Sequence, residues 1–258
     1  MASQSGNVPA NSTTEPVLVL GIDPGTTSFK IAVLEAEENS ENQGDTHIFK
    51  DPNEQIVLLS HFPGFERYDS NNVPTALIYN ENGELAKWGH HATNFQTHDG
   101  FDPSFLVEYW KLGLRTSSSP AARQLRRNLE ATAERLGATP DKFIEDFFIV
   151  VRQFVLENKN SPLLEHLGGD NALQRFKHID VVIALPPGWP RQEHRTFTSA
   201  ATQGLGDARQ LRIFTVSETE CVLHQWITET SYKKKVKVLY PFVSHNVKTL
   251  IFPLRLVI

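Results

Sequence analysis

The chain has 258 residues, 40% hydrophobic and 21% charged, with a formal net charge of −5, which describes an ordinary globular protein able to bury one large core or two small lobes. The negative balance offers no electrostatic footprint for nucleic acid, and the single cysteine, Cys221, excludes an internal disulfide framework and fits a reducing compartment. No stretch supplies the roughly 18 uncharged apolar residues of a membrane span, so no membrane partner is expected.

Residues 1–16, MASQSGNVPANSTTEP, carry neither a basic n-region nor an apolar h-region, and are expected to be a disordered lead-in, not a secretory signal. Val17 to Gly21 is a β-branched and leucine run that predicts a strand buried on both faces. Asp23-Pro24-Gly25 predicts a tight turn, Pro presetting φ and Gly accepting a positive one. Phe29 to Leu34 then completes an antiparallel hairpin. The acidic EAEENSENQGDTHIFKDPNE reads as a solvated loop insertion, and EQIVLLSHF and VPTALIYN as further strands, the second closed by the turn NENG.

Pro120 to Leu136 has helical composition. A second helix is expected behind Thr139 as cap and Pro140 as first residue, with Phe143, Phe147, Val150, Val151 and Phe154 forming its apolar face. HIDVVIALPP predicts another buried strand, RQEHRTFTSAATQ a helix begun by Pro190 and stopped by Gly204, and QLRIFTV a strand. Ser217 and Glu220 have the spacing of a capping box for a helix from Glu218. Hairpins early and strand–helix alternation late make an α/β pattern with an antiparallel start.

The turn in VLVLGIDPGTTSFK admits two readings. It can reverse the chain as a plain type II hairpin turn. It can also hold a phosphate: Gly25 lets the backbone approach, and the amides that follow, with the Thr26 and Thr27 hydroxyls, supply convergent donors. Asp23 would repel a bare phosphate and makes sense there with Mg²⁺ and its waters between them. Neither a Walker loop nor a G-x-G-x-x-G segment is present.

GIDPGTTS resembles the first phosphate motif of the actin-like ATPase superfamily, which includes the heat shock protein 70 family and the sugar kinases. VPTALIYNENGELAKWGHHA, FLVEYWKLGLR, VVIALPPGWPRQEHRTFTSAATQGL and LRIFTVSETECVLHQW resemble, in order, the chaperone family's V-P-S strand, its lysine segment, its proline turn with the helix after it, and its strand-to-helix acidic step. KWGHHA, KLGL and SETE look most like a diverged, chaperone-related branch that lacks the peptide-binding domain. The resemblance implies an actin-like (ribonuclease H-like) fold, first lobe, with a mixed sheet opening on an antiparallel hairpin. It implies Lys111 as the catalytic lysine, Glu218 as the acid near the metal, Asp23 on Mg²⁺, and Gly25, Thr26 and Thr27 on the phosphates of ATP or ADP. Client or co-chaperone proteins are the implied partners, in the cytoplasm or, through KKKVK, the nucleus.

The segments depart from that family at LPPGWP, in place of its V-P-A turn, and at SETE, in place of N-E-P-T. The family's second phosphate loop, D-x-G-G-G-T-x-D, and its adenosine segment have no counterpart. Residues 231–258 hold six Lys/Arg and no Asp or Glu, whereas the 230 residues before them hold 19 and 30. We expect 17–230 to form the family lobe and 231–258 to be non-family sequence from truncation or mis-splicing. Such a lobe is expected to bind nucleotide weakly, hydrolyse little, and expose an apolar face. A carbohydrate kinase of the same superfold fits the opening equally, although no W-x-E-Q-x-P segment follows, and a non-catalytic interaction module is the third reading. His90 and His91 lack further metal-spaced ligands; Cys221 reads as a small core residue and Trp189 as a loop anchor.

Overall fold

A computed structural model describes residues 14–39, 47–48, 56–62, 71–114, 119–206, 210–219 and 221. The expected basic tail lies outside them. Strand β1 (Thr14–Pro24) turns into β2 (Ser28–Asn39), and the two pair antiparallel along their whole length. Both outrun the expected limits. β1 begins at Thr14, inside the segment expected to be disordered, and β2 takes in the first acidic residues of the expected loop, where β3 (His47–Ile48) pairs with it.

Among its described residues, the apolar run EQIVLLSHF contributes β4 (Val57–Leu58). VPTALIYN breaks in two: β5 (Val73–Pro74) joins β2 in the main sheet, and β6 (Leu77–Tyr79) pairs with β7 (Leu85–Trp88) and β8 (Leu106–Val107) in a second, three-stranded sheet. Pro74 stands at the break. Having no N–H, it suits the place where one sheet ends; the Thr75 N–H still donates to the Thr27 carbonyl at 3.1 Å, and Leu77 then pairs in the second sheet.

Late in the chain, β9 (Ile179–Leu185) lies parallel to β1, and β10 (Leu211–Ser217) parallel to β9. The main sheet is therefore mixed, ordered β10-β9-β1-β2-β3. Its two faces follow the strand period of two. Leu18, Leu20 and Ile22 of β1 and Val181 and Ile183 of β9 enter the larger core, whereas Val19 and Val182 face a smaller cluster with Val216 and Cys221. Every residue of β9 is buried, as expected of a strand covered on both faces.

The described residues include the α-helices α1 (Gly89–Phe95), α2 (Trp110–Gly113), α3 (Pro120–Arg135), α4 (Pro140–Arg152), α5 (Pro162–Leu167) and α6 (Arg191–Leu205). In α4 the expected apolar face is buried from Phe143 to Val151, while Phe154 lies beyond the helix in a π turn. Thr139 stands at the α4 N-cap, but its side chain makes no capping hydrogen bond. Helix α6 ends two residues later than expected, at Leu205, before Gly206 with φ 75°. Gly204 has a different task from stopping the helix: a Cβ there would lie 2.3 Å from the Glu145 carbonyl, so the missing side chain lets α6 close on α4.

Candidate functional site

Because β1, β9 and β10 are parallel, their carboxyl ends share one edge of the sheet, the edge outside which open α/β sheets form ligand crevices. Asp23 is the penultimate residue of β1, and Glu218 follows the last residue of β10. With β9 between them, the strands that carry the two residues are two strand spacings apart, about 10 Å. The Ser217 hydroxyl accepts the Thr219 N–H at 3.2 Å and so starts the turn that carries Glu218. Glu220, its expected capping partner, lies outside the described residues.

Lys111 reaches this edge on α2, a four-residue helix too short to hold itself. Its neighbour Trp110 is the anchor: 1% exposed, with its ring 5.4 Å from Phe147 of α4 and 6.2 Å from Phe197 of α6. Tyr109 enters the helix with φ 53°, an unusual conformation for a residue with a Cβ, and its carbonyl accepts the Leu112 N–H at 2.9 Å. The result places Lys111 only 5% exposed, with Nζ 2.9 Å from Glu218 Oε1. Lys111 is not a surface lysine.

Asp23 belongs to the same electrostatic unit. Burial pushes its carboxyl above the ordinary carboxylate range; the Lys111 ammonium opposes that rise, the Glu218 carboxylate adds to it, and Lys30 opposes it weakly. Lys30 is the cross-strand partner of Asp23 in the hairpin. Structure thus brings together the three charged residues that the sequence singled out, from three distant segments.

The loop itself departs from expectation at Gly25, which does not adopt a positive φ. Space dictates the glycine instead: a Cβ would lie 2.3 Å from the Ser28 carbonyl oxygen. Its N–H donates to the Asp23 carbonyl at 3.0 Å. Thr26 is half-buried and Thr27 exposed. Their carbonyls are held from behind by Thr75, whose hydroxyl donates to Thr26 O and whose N–H donates to Thr27 O, both at 3.1 Å. Sequence reading quoted Thr75 and Trp110 within their segments and gave neither a role, and it passed over Lys30. A strand residue straight after Pro74 was the available signal for Thr75.

Other candidates fall away. Among the described residues no group of three His, Cys, Asp or Glu is arranged to hold a metal ion. His90 is buried, and that burial pushes its imidazole below the ordinary range. Cys221 is 1% exposed in the smaller core cluster. Trp189 packs edge-on against Phe197 at 5.6 Å, the expected anchor. The expected apolar face is absent among the described residues, where Tyr109 is the exposed large hydrophobic side chain. A cavity of about 260 Å³ lies between α3, α4 and the start of α6. It reaches Gly113 and Leu114 but not Asp23, Lys111 or Glu218, and its Asp141 and Glu193 are explained as first-turn acids on helix dipoles. No helix among the described residues is long and apolar enough to cross a membrane.

In comparison with known proteins, no family model matches the chain, and no curated protein matches it.

Proposed function

We propose that this chain is a nucleotide-binding lobe of the actin-like ATPase type, from a chaperone-like branch, and that it handles the phosphates of Mg-ATP at the carboxyl edge of its main sheet. The observation that carries the reading is the meeting of Lys111 with Glu218, 107 residues away, in a charge cluster that also acts on Asp23. Each of the three stands where the family resemblance marks a functional residue. A mixed sheet opening on an antiparallel hairpin supports the fold.

The donor set suits a hydrated divalent ion. Two carboxylates about two strands apart are too few to enclose a bare cation, but Mg²⁺ keeps several waters and takes one or two carboxylates beside substrate phosphates. Asp23 and Glu218 would hold it through water, and the ion would neutralise charge developing on the phosphoryl group. Lys111 supplies a fixed positive charge to a phosphate oxygen, already oriented by Trp110, so little reorganisation accompanies binding. Gly25, Thr26 and Thr27 offer close backbone approach and further donors.

These groups address the phosphates from one side. Affinity for Mg-ATP is therefore expected to be weak, with Kd on the order of 1 mM, and hydrolysis slow. A titration of the 258-residue chain with Mg-ATP, followed by amide chemical shifts, should move the Gly25–Thr27 and Lys111 signals. Asp23→Ala and Lys111→Ala should abolish those shifts. Micromolar affinity with steady turnover would refute the one-sided site; unchanged shifts in both variants would refute the phosphate reading.

A further inference from the structure

VPTALIYN crosses from the main sheet to the second sheet at Thr75, and three hydrogen bonds converge on this one residue. Its hydroxyl donates to Thr26 O and its N–H to Thr27 O, each at 3.1 Å, while its carbonyl accepts the Trp110 indole N–H at 2.9 Å. We infer that Thr75 is a positioning residue that fixes the Gly25–Thr27 loop in its phosphate-accepting form and ties it to the helix bearing Lys111. The inference rests on the nucleotide reading above and adds to it a residue that the resemblance does not assign.

Peptide geometry gives Thr75 this hold on the loop. The chain has no cis peptide among its described residues, so each C=O points opposite to the N–H of the same peptide unit. By holding the carbonyls of Thr26 and Thr27, Thr75 turns the amides of Thr27 and Ser28 to the far side of the loop. Without a rear anchor, a loop of this length would sample several peptide orientations, and an incoming anion would have to order it. Thr75 has already done so.

Its own position is secure. Thr75 is 3% exposed, and Trp110, which holds its carbonyl, is 1% exposed. At that depth the hydroxyl needs a partner, and Thr26 O is the partner it uses. Trp110 is followed directly by Lys111. The two phosphate-facing elements, a hairpin turn and a four-residue helix, are thus joined through one residue on neither. Thr75 touches no reacting group; it acts through the loop and through Trp110.

Thr75→Val deletes the hydroxyl and keeps the N–H, the carbonyl and most of the volume, whereas Thr75→Ser keeps the hydroxyl. Both are made in the 258-residue chain and titrated with Mg-ATP by amide chemical shifts, with hydrogen exchange measured in the nucleotide-free proteins. Thr75→Val is expected to weaken Mg-ATP about tenfold and to speed exchange at Thr27 and Ser28 while β9 exchanges as before. Thr75→Ser is expected to stay within about twofold of wild type in both measurements. Wild-type affinity in Thr75→Val, or a Thr75→Ser variant as weak as Thr75→Val, overturns the positioning role while leaving the nucleotide reading standing. A wild-type chain that shows no Mg-ATP response overturns both.

Discussion

The Lys111 ammonium sits 2.9 Å from the Glu218 carboxylate, and the two are unequally placed, at 5% and 33% exposure. Water reaches the acid far more readily than the base. Deleting Glu218 strands a buried cation, whereas deleting Lys111 leaves a carboxylate that water can solvate. Glu218→Ala should therefore cost about 2–3 kcal/mol of stability and Lys111→Met less than about 1 kcal/mol. Urea melts of the two variants check this, and equal losses would contradict it.

Asp23 should trade stability for function. Its carboxyl is pushed above the ordinary carboxylate range, chiefly by burial, so the folded state prefers the protonated form. A raised carboxylate contributes stability that is present below the unfolded-state value and is lost as pH rises from there through the folded-state value. Asp23→Asn removes the group that is penalised. It should raise the melting temperature at pH 7, with the advantage vanishing below about pH 3.8, while abolishing the Mg-ATP response. Thermal melts across that pH range decide the matter; a variant less stable than wild type at pH 7 would show that Lys111 and Lys30 outweigh burial.

Gly25 is confined by space. A Cβ would lie 2.3 Å from the backbone oxygen of Ser28, an atom that cannot swing aside as a side chain can. Gly25→Ala must open the turn, at a cost of about 1–3 kcal/mol, and should abolish the Mg-ATP-dependent shift of Thr26 and Thr27. A variant that melts and binds like wild type would mean the loop adapts freely.

Away from the site, Arg212 makes a two-pronged contact with Asp180, its neighbour in the β9–β10 register, at 2.6 and 2.7 Å. Asp180 is fully buried, so its charge depends on that guanidinium. His178 Nε2 lies 3.6 Å from the same carboxylate. Arg212→Met should cost about 3–5 kcal/mol, and adding Asp180→Asn should recover much of it by removing the stranded charge. Guanidinium unfolding of the single and double variants tests this. No recovery in the double variant would place the loss in packing.

Much of this fold was legible in the chain because the signals are local. The β-branched run of β1, the four-residue spacing of Phe143 and Phe147 in α4, Pro140 at a helix start and the helical segment that follows Pro190 all follow from periodicity and from backbone chemistry within a few residues. The misreadings share a cause. VPTALIYN has the composition of one strand, yet the sheet that claims its first half is not the sheet that claims its second. Gly204 looks like a helix stop and is a helix contact, because the Glu145 carbonyl on another helix, invisible in the local sequence, decides what fits.

The candidate site divides in the same way. Sequence alone singled out the candidate residues: a carboxylate, a glycine and two threonines in one turn, with a lysine and a glutamate marked by resemblance. Only tertiary structure decided that they meet. Parallel pairing of β1, β9 and β10 puts two carboxylates at one edge, and parallel pairing leaves no local signature because its partners are joined by long crossovers. The burial of Trp110 between α4 and α6 then delivers Lys111 to that edge. Thr75 earns its place only through bonds to residues 48, 49 and 35 positions away, a separation at which geometry, not composition, chooses the partner.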